Sequence, residues 1–119
     1  MRVLLADDQA EVRSALKLLL EQDSDVAVVG EAADTDALLA LTQATEPDIV
    51  LLDWELPGHR VIQVLPKLRA CAPNARVIAL SGRLEARRAA LAAGADAFVS
   101  KGDPPERLLA ALHAVSSNG

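Results

Sequence analysis

The chain contains one cysteine, two aromatic residues and no long run of basic or apolar residues. Cys71 has no intrachain partner for a disulfide bond, so the sequence favours a reducing compartment. No apolar stretch approaches the length of a membrane-spanning helix, and Asp7 and Asp8 come too early for a signal peptide. These absences predict a cytoplasmic protein without a membrane segment.

Basic residues are scarce and scattered. The net charge is −5, and no run of Lys or Arg exceeds two residues. Surfaces that bind DNA or anionic lipid normally concentrate positive charge, so we expect no direct contact with nucleic acid or a membrane. With 119 residues, 51% of them hydrophobic, the chain can bury a real core, and we assign residues 1–119 to one domain.

Short apolar segments alternate with longer amphipathic segments along the whole chain. The apolar segments have the length and composition of strands: Val3–Ala6, Val26–Glu31, Ile49–Leu52, Arg76–Leu80 and Ala97–Ser100. They are apolar throughout rather than alternating with polar residues, which indicates burial on both faces. The pattern predicts an α/β fold with a doubly wound, five-stranded parallel sheet and helices on both of its faces.

Several helix boundaries carry residues that cap helices. Asp34 or Thr35 is expected to cap the second helix, and Gly94 is expected to end the fourth. The segment "DPPE" predicts the start of the fifth helix. There Asp103 would cap, Pro104 would take the first helical position, and the following Glu106 would reach back as in a capping box.

The third helix contains a proline. Pro66 lies among the periodic apolar residues and lacks the N–H that a helix interior needs, so we expect a kink or a restart there. Cys71, near the end of this helix, is interpreted as a small apolar core residue.

Polar side chains follow four of the five strands. Asp7 and Asp8 end the first strand, Asp53 the third, Ser81 the fourth and Lys101 the fifth. Each acid alone could be a helix cap or a solvated strand end. Because the carboxyl ends of parallel strands meet at one edge of a sheet, we expect these side chains to converge there.

Such a group of residues has a specific chemistry. Three carboxylates brought together need a positive charge among them, and Mg2+ prefers oxygen ligands of this kind. Asp53 could then attack a phosphoryl group as a nucleophile and form an acyl phosphate. Lys101 would neutralise charge on the transferring oxygens, and Ser81 would donate a hydrogen bond to one of them.

The sequence resembles the receiver domain of bacterial two-component response regulators along nearly its whole length. The resemblance rests on "LLADDQ", "DIVLLDWELPG", "VIALSG" and "AFVSKG", which occur in the expected order and spacing. It implies a flavodoxin-like (βα)5 fold with strand order 2-1-3-4-5. The segment "SKGDPPERLLAALHAV" is most similar to the subfamily whose receivers precede a helix-turn-helix DNA-binding domain. We therefore expect a piece of a longer regulator rather than a stand-alone receiver.

The resemblance also implies a role for each residue. Asp53 would be the phosphoacceptor, and phosphohistidine on a sensor histidine kinase would be the donor. Asp8 and Asp53 would bind Mg2+ through their side chains, Asp7 through water, and Glu55 through its backbone carbonyl. Ser81 would act with Phe98 as a switch pair, in which the hydroxyl turns toward the phosphoryl group and the ring moves inward.

The implied function is a phosphorylation-controlled switch rather than an enzyme. Its output would be a changed protein-binding surface, most simply a homodimer, formed by the last strand with the fourth and fifth helices or by the first and fifth helices. Through an effector domain it would control transcription. Two alternatives remain: a degenerate receiver that binds partners without phosphorylation, and a small phosphatase with an aspartyl nucleophile.

The remaining singular residues have simpler interpretations. Phe98 could be only a core aromatic, and Trp54 either gates the acceptor or plugs the end of its strand. His59 and His113 have no partners at metal-ligand spacing, so solvent-exposed positions are expected for both. The pair Arg87-Arg88 is interpreted as an exposed helix face.

Overall fold

The computed structural model describes residues 1–117, in which strands and helices alternate strictly. The strands are β1 (Arg2–Ala6), β2 (Ala27–Ala32), β3 (Ile49–Asp53), β4 (Arg76–Ser81) and β5 (Ala97–Ser100). The helices are α1 (Ala10–Leu20), α2 (Thr35–Thr45), α3 (Val61–Cys71), α4 (Ala86–Ala92) and α5 (Pro105–Ser117). Every strand predicted from the sequence is confirmed, with ends that differ by no more than one residue.

The strands form one parallel sheet in the order β2-β1-β3-β4-β5. This is the order implied by the resemblance. The chain moves from β1 to one side for β2 and to the other side for β3, so the order reverses beside β1. In open parallel sheets the crevice at such a reversal, at the carboxyl ends of the strands, is the usual ligand site. Here that crevice lies between the ends of β1 and β3, where Ala6 pairs with Leu52.

Alternate strand residues bury against different helices. On one face, residues such as Leu5, Leu51 and Ile78 pack with Leu20 of α1 and Leu112 of α5. The other face packs against side chains from α2, α3 and α4, among them Leu38, Val61, Val64, Leu65, Leu68 and Ala90. Each buried leucine contributes about 1.5–3 kcal/mol relative to an exposed one. The predicted burial of the sheet on both faces is confirmed. Within residues 1–117, no helix is long and apolar enough to span a membrane.

The restart expected in the third helix does not occur, because α3 runs as one element through Pro66. The carbonyl that Pro66 leaves without its helical donor belongs to Ile62. Both residues are exposed, so water can bond that carbonyl. The interpretation of Cys71 as a core residue is wrong, since its side chain, at the last position of α3, is exposed.

Residues at the helix ends confirm some of the expected caps and correct others. The carboxylate of Asp34 accepts a hydrogen bond from Ala37 N at 2.8 Å, so Asp34 rather than Thr35 caps α2. Gly94 follows α4 with φ of +109°, a conformation that favours glycine at a helix end. The fifth helix begins at Pro105, one position later than predicted, and the Asp103 carboxylate accepts a hydrogen bond from Ser100 N at 3.1 Å.

Candidate functional site

Three aspartates converge at the carboxyl edge between β1 and β3. Asp7 and Asp8 follow β1 directly, and Asp53 is the last residue of β3. One carboxylate oxygen from each residue lies within 4.8 Å of those of the other two. Asp7 and Asp53 are buried, with 1% and 3% of their surface exposed, whereas Asp8 is exposed. Three hard oxygen donors with one open side fit a magnesium ion, which keeps several of its own waters.

Lys101 carries a positive charge into this acidic cluster. Its Nζ lies 2.8 Å from Oδ2 of Asp7 and 3.4 Å from Oδ2 of Asp53. The backbone holds it there, because Lys101 N donates to Ser81 O at 2.9 Å at the edge of the sheet. Burial alone would lower the pKa of Lys101, but the hydrogen bond to Asp7 and the attraction of Asp53 outweigh it and raise the pKa. Lys101 therefore remains charged and bridges the two buried acids.

For the Asp53 carboxyl, burial has a larger effect on the pKa than the favourable contacts do. Burial raises its pKa above the ordinary value, and the negative charges of Asp7 and Glu55 add to that effect. A hydrogen bond from Glu55 N to Asp53 Oδ1, 3.0 Å long, and the charge of Lys101 only partly oppose it. The cluster therefore has an excess of negative charge that a divalent cation would relieve.

Ser81 lies at the same edge and is completely buried. Its hydroxyl contacts the Glu55 carboxylate, with Oε1 at 2.8 Å and Oε2 at 3.0 Å. It also accepts a hydrogen bond from Arg83 N at 3.0 Å. The sequence did not predict this contact between the Glu55 side chain and Ser81. Its proximity to Ser81 depends on the direction of a side chain beyond the end of β3, where strand periodicity no longer applies.

A second contact missed by the sequence reasoning supports the acidic loop from α1. The Arg13 guanidinium donates to the backbone carbonyl of Asp7 at 2.6 Å and to the carboxylate of Glu31 at 3.1 Å. Only 18% of the Arg13 side chain is exposed. Arg13 thereby ties the turn that carries Asp7 and Asp8 to the end of β2. Helical spacing places Arg13 in α1 but does not indicate this contact.

Phe98, the other member of the expected switch pair, lies on β5 next to Ala79 of β4. It is half-buried and packs against the core face that α2, α3 and α4 cover, as does Trp54. Ser81 lies two residues further along β4 and pairs with Ser100. The two residues therefore occupy neighbouring strands.

The loop after Asp53 is tied to the start of α2. Thr35 N donates to Pro57 O at 3.0 Å, and His59 N donates to the Thr35 hydroxyl at 2.9 Å. Between these two bonds Gly58 has φ of +111°, and a Cβ there would lie 2.3 Å from Thr35 Oγ1. A glycine is required both by the backbone angle and by the close approach of Thr35. This turn leads the chain away from the acidic edge.

The surface residues behave largely as expected. His59 and His113 are exposed, although His113 Nε2 lies 2.9 Å from a carboxylate oxygen of Asp23. Arg87 and Arg88 are exposed on α4.

Comparison with known proteins agrees with this architecture. Residues 3–113 match the family described as the response regulator receiver domain. The nitrate/nitrite response regulator protein NarL of Escherichia coli K12 is 36% identical over 113 residues, which cover 93% of this chain and 52% of NarL. The chain thus spans about half the length of the curated relatives it matches.

Solved structures of response regulators share the fold of this chain. A two-component response regulator of the LuxR family from Aurantimonas sp. SI85-9A1 is 34% identical, with a TM-score of 0.90 over 98% of this chain and 85% of that one. RcsB of Salmonella enterica serovar Typhimurium is 27% identical, with a TM-score of 0.89 over 99% of this chain and 61% of that one. The latter structure is of RcsB bound to a promoter in the presence of the phosphomimetic BeF3−.

Proposed function

The chain belongs to the response regulator receiver domain family, and on that basis we propose that Asp53 accepts a phosphoryl group from phosphohistidine on a sensor histidine kinase. The observation that carries this proposal is the convergence of Asp7, Asp8 and Asp53 within 4.8 Å, with Lys101 between two of them. Receiver domains are signalling switches and generally not catalysts, so the proposed chemistry is one reversible modification.

The transfer follows from the groups at the edge of the sheet. A carboxylate oxygen of Asp53 attacks phosphorus, the new O–P bond forms as the P–N bond breaks, and the bonding electrons leave with the imidazole nitrogen. The product is an acyl phosphate on Asp53. Lys101 then neutralises one phosphoryl oxygen, and Ser81 donates its hydroxyl proton to another.

Mg2+ belongs to the same proposal. Asp8 and Asp53 would hold it through side chains, Glu55 through its backbone carbonyl and Asp7 through water. When bound, the ion supplies positive charge to the phosphoryl oxygens and offsets the repulsion among the carboxylates. Receiver domains generally bind Mg2+ at an acidic pocket, and the donor set here is of that kind.

Phosphorylation is proposed to act through Ser81 and Phe98. Movement of the Ser81 hydroxyl toward the phosphoryl group would leave space that the half-buried Phe98 ring can occupy. The surface formed by β5, α4 and α5, or by α1 and α5, would then favour a homodimer. Control of transcription through a DNA-binding effector domain, in the cytoplasm, is part of the proposal, because RcsB, which is similar to this chain and longer, has been solved bound to a promoter.

Two other functions fit less well. A phosphatase with an aspartyl nucleophile needs a free acid two residues later, but the Glu55 carboxylate at that position accepts a hydrogen bond from Ser81. A degenerate receiver would usually lack one of the five site residues, all of which this chain retains. Release of more than one phosphate per chain from a phosphate monoester would support the phosphatase.

The deciding experiment is intact mass spectrometry after incubation with acetyl phosphate, with and without Mg2+. We expect one added phosphoryl group that depends on Mg2+ and is absent from Asp53→Asn. Asp36→Asn is the matched control, because Asp36 is an exposed aspartate on α2. If the wild type takes up no phosphoryl group and binds no BeF3−, the phosphoacceptor role is wrong and the degenerate receiver is favoured.

A further inference from the structure

The side chain of Glu55 makes a contact at the acidic edge that the proposed transfer does not use. We propose that Glu55 is a positioning residue whose carboxylate holds the Ser81 hydroxyl, so that Ser81 can serve a phosphoryl group on Asp53 only after this contact breaks. The inference rests on the proposed phosphoacceptor function. It assigns Glu55 a role in opposing the phosphorylated state, in addition to the role proposed for its backbone carbonyl.

The single proton of the Ser81 hydroxyl limits the contacts that this side chain can make. A serine hydroxyl has one proton to donate and two lone pairs that accept. The proton of Ser81 is directed at the Glu55 carboxylate at 2.8 Å and 3.0 Å, and one lone pair accepts from Arg83 N. Because Ser81 is completely buried, water cannot replace a lost partner easily. A phosphoryl oxygen must therefore compete with Glu55 for the same proton.

The carboxylate is also a strong competitor. A hydrogen bond to an ionised acceptor is shorter and about twice as strong as one between neutral groups. The Glu55 backbone is fixed beside the acceptor, because its N–H donates to Asp53 Oδ1 at 3.0 Å. The carboxylate consequently brings a negative charge close to the position where a phosphoryl group would add more.

The contact can nevertheless open. Ser81 is buried at the end of β4, but Glu55 is exposed in the loop after β3. A released carboxylate can be hydrated where it is, so opening the contact requires no rearrangement of the core. Glu55 and Ser81 thus have two arrangements: the hydroxyl bonded to Glu55, or the hydroxyl bonded to the phosphoryl group. A residue that stabilises the first arrangement lowers the apparent affinity for any ligand that requires the second.

The test is a double-mutant cycle on the binding of BeF3− in the presence of Mg2+, measured by isothermal titration calorimetry. In the Ser81 background we expect Glu55→Ala to lower the dissociation constant by about tenfold, as for loss of one charge-assisted hydrogen bond. In the Ser81→Ala background the same substitution removes only the charge, and we expect a change of less than about threefold. The ratio of the two fold-changes measures the competition for the proton.

Glu85 provides the matched control. It lines the same cleft as Glu55, but its carboxylate pairs with the Arg83 side chain at 3.3 Å. Glu85→Ala removes an equal charge and should leave the dissociation constant within about twofold of the wild type. Circular dichroism verifies that each variant is folded.

The outcomes separate the two proposals. If the wild type binds no BeF3− and takes up no phosphoryl group, the phosphoacceptor function and this inference both fail. If the wild type binds but Glu55→Ala has the same effect with and without the Ser81 hydroxyl, only the inference fails, because Glu55 then acts through its charge alone. Weaker binding of BeF3− in Glu55→Ala would also overturn it.

Discussion

The ammonium of Lys101 lies 2.8 Å from a carboxylate oxygen of Asp7, which joins the end of β5 to the end of β1 across the sheet. The residues are 94 positions apart in the sequence. The contact depends on the strand order, which places both strand ends at one edge. It makes Lys101 the counterion of two buried acids, since Oδ2 of Asp53 lies 3.4 Å from the same ammonium.

Lys101→Met is expected to slow phosphorylation strongly. Without the ammonium, phosphoryl oxygens lose their fixed positive partner, and we expect the rate of labelling by acetyl phosphate to fall by about 100-fold or more. The control is Lys67→Met, because Lys67 is an exposed lysine on α3. A Lys101→Met protein that is labelled within a few fold of the wild-type rate would contradict the proposed role.

Asp53→Asn is expected to stabilise the metal-free protein at neutral pH. The pKa of Asp53 is raised in the folded state, chiefly by burial, so ionisation of Asp53 opposes folding at any pH above its ordinary pKa. The stabilisation by asparagine should therefore be full above the raised pKa that Asp53 has in the folded state, and it should disappear as the pH falls to about 4, where the unfolded chain also protonates its aspartates. Thermal unfolding of the wild type and of Asp53→Asn in EDTA, over this pH range, measures the stabilisation.

Mg2+ should make the wild type more stable than Asp53→Asn, the reverse of the order expected in EDTA. If Mg2+ binds the folded wild type as proposed, it raises the midpoint temperature of the wild type more than that of Asp53→Asn, which offers the ion one carboxylate fewer. If the variant is less stable than the wild type in EDTA at neutral pH, burial of the Asp53 charge is not a cost to the fold.

Arg13→Met is expected to weaken Mg2+ binding about tenfold, the usual effect of removing a group that orients metal ligands. Arg13 does not itself belong to the acidic cluster, but it donates to the Asp7 carbonyl at 2.6 Å and so fixes the turn that carries Asp7 and Asp8. Calorimetric titration with Mg2+ measures the effect. Lys17→Met, an exposed position on the same helix, is the control, and equal affinities for the two variants would contradict the role of Arg13.

Gly58→Ala is expected to lower the free energy of unfolding by about 2–4 kcal/mol. The new Cβ meets Thr35 Oγ1 at 2.3 Å in addition to the strain of a positive φ. Gly94→Ala is the control, because Gly94 has nearly the same φ, +109°, with open space around it. Urea unfolding of both variants separates the clash from the strain, and equal losses would mean that the contact with Thr35 relaxes freely.

The strands and the convergence of the site residues could be predicted from the sequence for a physical reason. Strands buried on both faces read as continuous apolar runs, and parallel strands place all their carboxyl ends at one edge. A polar residue at the end of such a run, as at Asp53 and Ser81, is therefore located by the topology alone.

The contacts that support these residues could not be predicted in this way. Glu55 lies beyond the end of β3, and Arg13 reaches back from α1 to a backbone carbonyl, so neither contact repeats with a period. Thr35 looked like a helix cap because its chemistry allows that role. The structure uses its hydroxyl to accept from His59 instead, while Asp34 caps the helix. Such choices depend on which loops meet, and that follows from the complete fold.

The two hydrogen bonds that join Thr35 to the loop after Asp53 also determine how this region exchanges amide hydrogen with solvent. Thr35 N is bonded to Pro57 O, and His59 N is bonded to the Thr35 hydroxyl, so both amides lose their acceptors when the loop separates from α2. Amides released by the same opening exchange with the same protection. Thr35 and His59, which belong to different segments of the chain, therefore report a single local opening beside the acidic edge.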